Sequence, residues 1–200
     1  MPQPVLETAR LRLRPFTDGD AGRVRLLAGD AAVARGSILI PHPYPPGLAE
    51  RWIATHASQW QQGHGVYYAI TQQSCGILIG SISLHLEERR QASGAICHTG
   101  AICYTGTMGY WLGHPYWGAG LMTEAAQALL AFAFLELGVD RIEACHGADN
   151  PASGRVMEKC GLRFEKERQD ARYRQPLREY AADWAQIKNS IKSDIYKIIN

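Results

Sequence analysis

The sequence predicts an α/β fold in which helices cover the faces of a mixed sheet. Strand-like segments outnumber helical ones in the first half of the chain, and strand and helix patterns alternate in the second half. The length of 200 residues suits one domain, and the apolar fraction of 46% is normal for a globular core. We therefore expect a single domain over residues 1–187, followed by a tail or an extra amphipathic helix over 188–200.

Seven segments have the alternation or the composition of strands. In the first, Leu11 and Leu13 alternate with arginines, and Pro15 ends the run. The later segments, in chain order, are VYYAITQQ, CGILIGSISLHL, TMGYWLG, RIEACH, RFEKERQ and REYAADWAQI. Only a short turn separates the first two of these, so we expect them to pair.

Four segments have helical signals. The first follows TDGD, whose aspartates suit a helix cap. Helical periodicity returns over 48–62 and over 120–137. A last helix starts near Asn150 and ends at Gly161, because glycine is a common signal after a helix C-terminus.

The charge and the cysteine content exclude several classes of protein. The formal net charge is +2, the arginines are scattered and all lysines follow position 158, so no basic patch of the kind that binds nucleic acid is present. No segment has the length and hydrophobicity of a membrane span or of a signal peptide. An odd number of cysteines, five, implies no disulfide framework, and we expect a cytoplasmic protein.

The hexapeptide GAICHT at 94–99 is followed by the nearly identical GAICYT at 100–105. An insertion of even length keeps strand side chains on their faces, so we interpret the duplication as a loop or strand extension. Cys97, His98 and Cys103 within it match no usual zinc spacing, and we expect no metal.

Gly118 and Gly120 stand at the start of the helix over 120–137. A helix start presents unpaired N–H groups and a positive dipole, and glycines there let a ligand come close, so an anion such as phosphate is favoured. The Gly-Lys-Ser/Thr ending of a Walker loop is absent. A dinucleotide fingerprint fails as well, because position 123 is threonine and Asp140 precedes the next strand. An ordinary strand-to-helix turn stays open as an alternative.

The segments YWGAGLMTEAAQALLAFAF, VDRIEAC and NPASGRVMEKCGLRFE resemble the GNAT superfamily of acetyl-CoA-dependent N-acetyltransferases, in its RimJ/RimL-like branch. The resemblance spans roughly residues 6–187, and the block 109–164 is specific. It implies a mostly antiparallel central sheet of about six to seven strands, flanked by about four helices. Two strands of that sheet splay apart to admit the pantetheine arm, and Gly109 fits a bulge on one of them.

The resemblance implies that acetyl-CoA is the co-substrate. Its pyrophosphate would lie on the backbone amides from Gly118 to Thr123. From the start of its own helix Arg155 is placed to reach a CoA phosphate, and a solvated Arg155 stays open as the alternative. A backbone N–H near Leu112 would stabilise the oxyanion, and Glu124 would stabilise the first turn of the helix. The implied cofactor-binding residues are Trp111, Leu112, Trp117, Gly118, Ala119, Gly120, Leu121, Met122, Thr123, Asn150, Ser153 and Arg155.

Acetyl transfer to an amine requires that the amine lose a proton, that the oxyanion find donors and that the thiolate be protonated. The resemblance assigns Ser153 as the general acid, because Met157 occupies the position of the tyrosine that many relatives use. Asn150 would bind the pantetheine amide. A helix-capping role for both Asn150 and Ser153 stays open.

The acceptor side is less determined. Relatives often carry Glu at the position of Thr107, and no base is assigned in its place. The helix over 47–62 resembles the wall of an acceptor site, with Trp52 as a wall residue, although core packing suits Trp52 as well. The candidate substitutes for the base, besides a water chain, are His85, Glu87, His146, Asp149 and Glu165.

The leading hypothesis is an N-acetyltransferase that moves the acetyl group of acetyl-CoA to a primary amine by direct attack in a ternary complex. The acceptor is a protein or peptide N-terminus or a small amine, with no nucleic-acid or membrane partner, and the protein is a monomer or a homodimer. One alternative is a catalytically inactive acyl-CoA-binding module of the same fold. Another is a nucleotide-binding protein with an unrelated reaction.

Overall fold

The computed structural model describes residues 1–37, 39–90, 102–170, 173 and 175–187, and within these ranges eight strands form one sheet. The strands are β1 (Leu6–Glu7), β2 (Leu11–Arg14), β3 (Gly65–Gln72), β4 (Leu78–Arg90), β5 (Ile102–Leu112), β6 (Arg141–Gly147), β7 (Arg163–Arg168) and β8 (Leu177–Asp183). The helices are α1 (Ala21–Ala28), α2 (Ala31–Gly36), α3 (Leu48–Gln61), α4 (Leu121–Leu135), α5 (Pro151–Lys159) and α6 (Trp184–Ile187).

The sheet is mixed and mostly antiparallel, as predicted. Its strand order is β1-β2-β3-β4-β5-β6-β8-β7, and among the described strands only β5 and β6 pair in parallel. The strand count exceeds the predicted six to seven because of β1, whose Leu6 pairs with Leu13 of β2. Two residues are too few for an alternation pattern, so this strand was not predicted from the sequence.

The four predicted helices correspond to α1, α3, α4 and α5, and the structure adds the short α2 and α6. The predicted last strand ends early, at Asp183, and α6 follows it; the Trp184 N–H donates to the Asp140 carbonyl at 3.1 Å. Asp20 stands at the N-cap position of α1, as predicted, but its side chain makes no cap hydrogen bond to that helix. Thr17 precedes a 3-10 turn, and Asp20 accepts a hydrogen bond from the Thr17 N–H at 2.8 Å.

Helices pack on both faces of the sheet and divide its apolar residues into two clusters. The larger cluster lies under α4 and α5, and the smaller one joins α1 and α3 to β3 and β4. Eleven of the fifteen α4 residues are buried, so this helix is enclosed on nearly all sides. Its packing fixes the place of the glycine segment that precedes it.

β5 and β6 part before they end. Their parallel pairing stops at Met108 opposite Ala144, although both strands continue. The splayed pair that the resemblance implies is therefore present. Residues 109–112 of β5 and 145–147 of β6 no longer pair with each other, and we call the space between them the gap.

Gly109 does not form the bulge expected of it. β5 keeps an unbroken register with β4 along its whole length, with Gly109 opposite Ser83. The parting of β5 from β6 therefore involves no irregularity between β4 and β5. Gly109 instead leaves part of one sheet face without a side chain, and it is exposed there.

Two predictions fall on residues that the structure does not describe. Residues 91–101 hold the first GAIC repeat with Cys97 and His98, and residues 188–200 hold the expected tail. The second repeat contributes residues 102–105 to the start of β5. The division into one domain and a tail stays a prediction.

Candidate active site

The glycine segment turns the chain sharply before α4. Gly118 and Gly120 have φ angles of 78° and 74°, in the left-handed region that glycine adopts without strain. Gly120 caps α4 without a side chain, so the N–H groups of Leu121, Met122 and Thr123 have no intrahelical partner. A Cβ added at Gly118 would meet nothing within 4 Å, so the space beside it is open. This is the geometry of an anion site at a helix start.

The predicted cofactor residues differ in what they offer to a ligand. Residues 117–120 are exposed, whereas the side chains of Leu121 and Met122 are buried. A ligand therefore reaches only the backbone of these two helical residues. Thr123 is half-buried, and Arg155 lies on the exposed side of α5.

A charged brace holds the glycine segment against the β1–β2 hairpin. Glu124 accepts hydrogen bonds from Thr8 Oγ1 at 2.5 Å, from the Arg10 N–H at 2.9 Å and from Arg10 Nε at 2.6 Å. Arg10 Nη1 also donates to the Ala119 carbonyl at 2.9 Å. Burial raises the pKa of Glu124, but the bonds from Thr8 and Arg10 outweigh it and hold the pKa below its usual value. Glu124 thus supports the segment structurally, and its partner Arg10 was not predicted from the sequence.

Trp117 links the glycine segment to the end of β5. Its indole Nε1 donates to the Leu112 carbonyl at 2.6 Å. The Gly113 N–H donates to the Ile79 carbonyl at 2.9 Å. Because successive residues of an antiparallel strand point their backbone groups to opposite sides, the Leu112 N–H faces away from β4, toward the gap. The side chain of Trp111 packs instead against the smaller cluster.

Asn150 and Ser153 meet at the start of α5, shortly after β6. Asn150 caps the helix: its Oδ1 accepts the Ser153 N–H at 3.3 Å, and its Nδ2 donates to the Gly36 carbonyl at 2.8 Å. The Asn150 amide keeps hydrogen-bonding capacity for a further partner. Ser153 Oγ lies 2.8 Å from the hydroxyl of Tyr110, a residue of the gap. Asn150 is therefore a cap, as the alternative held, and Ser153 lies beside the gap.

Tyr110 is a site residue that was not predicted from the sequence. Its hydroxyl donates to the Ser153 carbonyl at 3.0 Å, which leaves the Ser153 hydroxyl as donor in the 2.8 Å contact. Burial raises the pKa of Tyr110 well above its ordinary value, more than the Ser153 contact lowers it, so the phenol stays protonated. The alternation of β5 was the available signal, since it puts Tyr110 on the same face as the buried Met108 and Leu112.

Three side chains of neighbouring strands meet on the sheet face opposite α4. Thr107 pairs with His85 of β4 and with Glu143 of β6, and paired residues point to the same face. The next residue, Met108, is buried in the cluster under α4, so Thr107 points the other way and is exposed. Glu143 was not predicted from the sequence, because the strand register that brings it beside Thr107 leaves no local pattern.

The other residues considered as bases lie less favourably. His146 is buried under α5, on the opposite face. Glu165 of β7 forms an ion pair with Arg141 at 2.5 Å. Glu87 lies farther from the gap along β4, and Asp149 lies in the turn before α5. His85 and Glu143 are therefore the titratable residues that lie directly beside Thr107 on the adjacent strands.

Trp52 of α3 is a packing residue. Its ring contacts those of Phe16, His56 and Tyr67 edge-on, at centroid distances of 5.1, 4.4 and 6.3 Å. His56 is 5% exposed and stacks on Tyr67 at 4.2 Å, and neither of its ring nitrogens has a hydrogen-bond partner. Burial, and secondly the proximity of His85, lower the pKa of His56 to about 4. This ring is therefore neutral near neutral pH.

Within the described ranges, no group of three or more His, Cys, Asp or Glu side chains converges as the ligands of a metal would. The helices of those ranges include none that is both long and apolar enough to cross a bilayer.

Two sequence comparisons identify relatives of the chain. A family model described as an acetyltransferase (GNAT) domain matches residues 10–163. The uncharacterized N-acetyltransferase YoaA of Bacillus subtilis is 30% identical over 164 residues, which cover 82% of this chain and 84% of YoaA.

Solved structures have the same fold. A GNAT-family acetyltransferase from Bacillus anthracis superposes with a TM-score of 0.71 at 23% identity, over 90% of this chain and 98% of that one. RimL, a ribosomal L7/L12 α-N-protein acetyltransferase in complex with coenzyme A, superposes with a TM-score of 0.73 at 18% identity, over 90% and 98% of the two chains. Because the family model matches well over half of the chain, the protein belongs to the GNAT acetyltransferase family and is an acyltransferase.

Proposed function

We propose that the protein transfers the acetyl group of acetyl-CoA to a primary amine, by direct attack of the amine within a ternary complex. The observation that carries this proposal is the adjacency of three features at one end of the sheet. They are the open N–H groups at the start of α4, the gap between β5 and β6, and Ser153 beside Tyr110. Together they offer an anion site, a channel for an extended ligand and a proton donor.

The cofactor follows these features in order. The CoA pyrophosphate binds the backbone N–H groups between Gly118 and Thr123, where the helix dipole favours negative charge. The pantetheine arm lies in the gap, with its amide on the remaining hydrogen-bonding positions of Asn150. Arg155, exposed on α5, reaches a phosphate. The complex of RimL with coenzyme A, in a fold that superposes over 90% of this chain, supports this placement.

The chemistry uses residues of β5 and of the start of α5. The amine nitrogen attacks the thioester carbonyl, and the Leu112 N–H stabilises the oxyanion. Collapse of the tetrahedral intermediate breaks the C–S bond, and Ser153 donates a proton to the departing thiolate. Tyr110 holds the Ser153 hydroxyl in place through their 2.8 Å contact. The acceptor is a protein or peptide N-terminus or a small amine, and the activity of RimL as an α-N-protein acetyltransferase is the reason to test peptides first.

Ser153→Ala tests the proposal. We expect turnover to fall by at least about tenfold, because the general acid is lost. The affinity for acetyl-CoA should stay nearly unchanged, because the substitution keeps the backbone N–H of residue 153 that donates to Asn150 Oδ1. Consumption of acetyl-CoA with peptides that carry free N-termini, and then with small amines, gives the turnover. Ser58→Ala is the matched control, because it removes an exposed hydroxyl from α3.

Two outcomes count against parts of the proposal. Unchanged turnover in Ser153→Ala would remove Ser153 from the mechanism. Binding of acetyl-CoA without its consumption by any acceptor of the panel would favour the alternative, a catalytically inactive acyl-CoA-binding module of the same fold.

A further inference from the structure

One carboxylate lies where β5 and β6 begin to part, on the face of the sheet opposite α4. Glu143 precedes Ala144, the last β6 residue that pairs with β5, and it lies beside Thr107. Its side chain is 35% exposed, so it is accessible from solvent. Of the β5 and β6 residues on this face, Glu143 alone carries a carboxylate. The exposed Gly109 leaves a free approach from this face to the gap.

Arg141 orients this carboxylate. Its Nε donates to Glu143 Oε1 at 2.9 Å, while its two terminal nitrogens donate to Glu165 at 2.5 Å and to Asp183 at 3.2 Å. Burial would lower the pKa of Arg141, but these three hydrogen bonds raise it above its ordinary value, so the guanidinium stays charged. Three carboxylates surround this one guanidinium, while Lys166 and Arg168 pair with Glu179 farther along the same face. Around Arg141 itself the carboxylates favour the approach of an ammonium ion over that of an anionic acceptor.

We propose that Glu143 is the residue that takes the proton from the acceptor's ammonium group, directly or through one water, at the open face of the gap. This inference rests on the proposed function. It extends that function, because the acyl transfer assigned to Ser153 and Leu112 leaves the deprotonation of the amine without a residue. The arrangement also selects cationic amines as acceptors.

The proton balance is as follows for an acceptor that arrives as an ammonium ion. Its first proton passes to Glu143 and from there to solvent, which frees the nitrogen lone pair. That lone pair forms the C–N bond, and the C–S bond breaks. The nitrogen then loses a second proton, which replaces on Ser153 the proton that this residue gives to the thiolate sulfur. The products are the amide, free CoA thiol and one released proton.

Other titratable and charged groups surround Glu143 on this face, and they also influence the pH dependence of kcat/KM. His85 is the main competitor, since it flanks Thr107 from β4 and its Nε2 lies 3.1 Å from the Tyr67 hydroxyl. Desolvation lowers the pKa of His85, and Glu87 opposes that effect. The charged or titratable neighbours are Arg141 and Cys145 on β6, His85 and Glu87 on β4, Arg163, Glu165, Lys166 and Arg168 on β7, and Glu179 and Asp183 on β8.

The test compares Glu143→Gln with Glu165→Gln and His85→Gln across pH, with acetyl-CoA and a peptide that has a free N-terminus. Glu165→Gln is the matched control, because it removes another carboxylate from the same Arg141. Near pH 7 only about a tenth of an α-amine with a pKa of about 8 is free, so Glu143→Gln should lower the acceptor kcat/KM about tenfold. Near pH 9.5 solvent has deprotonated the amine, and the defect should shrink to about twofold. Glu165→Gln removes a charge but no proton acceptor, so any loss of kcat/KM should be small and equal at every pH, and any loss in His85→Gln should likewise not be rescued at high pH.

Three results would overturn the inference. A Glu143→Gln defect that is equal at all pH values would make Glu143 structural. A pH-rescued defect in His85→Gln instead would move the base to β4. The third is a Glu143→Asp variant, which keeps a carboxylate, that retains no more activity near neutral pH than Glu143→Gln. Thermal unfolding checks that the variants fold. Failure of the proposed function is distinguishable, because the wild type itself would then transfer no acetyl group.

Discussion

The two sides of this site are built in different ways. The proposed cofactor side relies on the backbone: two left-handed glycines, the unpaired N–H groups of α4 and two strands that stop pairing with each other. The proposed acceptor side relies on side chains that three separate strands bring together, namely His85 of β4, Thr107 of β5 and Glu143 of β6. Backbone features such as glycine turns and helix starts have a local sequence pattern. Side chains that come together only through strand pairing have none. The cofactor side was therefore the predictable one.

The largest effect that tests this contrast is expected at Gly118. Gly118→Val puts a branched side chain at a φ of 78° and into the open space proposed for the pyrophosphate. We expect the Kd for CoA to rise about hundredfold, because the backbone no longer presents its N–H groups to the anion. Calorimetric titration measures the change.

Gly63→Val is the matched control for Gly118→Val. Gly63 has a φ of 71°, and a Cβ there would also meet nothing within 4 Å. Both variants should lose about 1–2 kcal/mol of unfolding free energy, which denaturant titration measures. Only Gly118→Val should lose CoA affinity. An equal loss of affinity in both variants would mean that backbone strain alone, and not contact with the cofactor, explains the result.

The second effect concerns the pH dependence of stability and the buried ring of His56, which packs on Tyr67 behind His85. The pKa of His56 is about 4 in the folded protein and about 6.5 when unfolded, so the unfolded state binds the proton first as pH falls. The contribution of His56 to stability is therefore complete above about pH 6.5 and declines toward about pH 4. Between about pH 7.5 and 5, wild type should lose about 2 kcal/mol of unfolding free energy through this residue.

His56→Phe isolates that effect. The substitution keeps a ring on Tyr67 and removes the titration, so the variant should lose about 2 kcal/mol less than wild type over the same pH interval. Comparing two pH values within each protein cancels any change in packing. His64→Phe, at an exposed position just after α3, should follow wild type. Parallel pH curves for wild type and His56→Phe would contradict a buried neutral His56.

The smallest effect is expected at the brace of the glycine segment. Glu124→Gln weakens the bonds to Thr8 and Arg10, and Arg10 is half exposed, so the loss of stability should be about 1 kcal/mol. The Kd for CoA should rise about threefold, because the segment becomes less ordered rather than misshapen. Glu7→Gln is the control: its pair with Arg12 spans 3.6 Å with both side chains more than half exposed. A Glu7→Gln effect as large as that of Glu124→Gln would show that the brace does not order the segment.

The sequence was sufficient for the fold and for the backbone features that we propose bind the cofactor, and it was insufficient elsewhere for physical reasons. The helix start at Gly120 and the cap at Asn150 are local signals, and both lie where they were expected. Tyr110 and Glu143 were missed because their neighbours, Ser153 and Thr107, are 43 and 36 positions away along the chain. Contacts of that range depend on strand pairing, which single-strand alternation does not determine.

The measurement that tests the central claim most directly is a calorimetric titration of the wild-type protein with acetyl-CoA and with acetyl-pantetheine, which lacks the pyrophosphate and the 3′-phosphoadenosine attached to it. The glycine segment and the gap should together bind acetyl-CoA with a Kd of about micromolar or tighter. Acetyl-pantetheine should bind at least about a hundredfold more weakly, because it cannot use the N–H groups at the start of α4. No binding of acetyl-CoA, or equal affinity for the two ligands, would contradict the account.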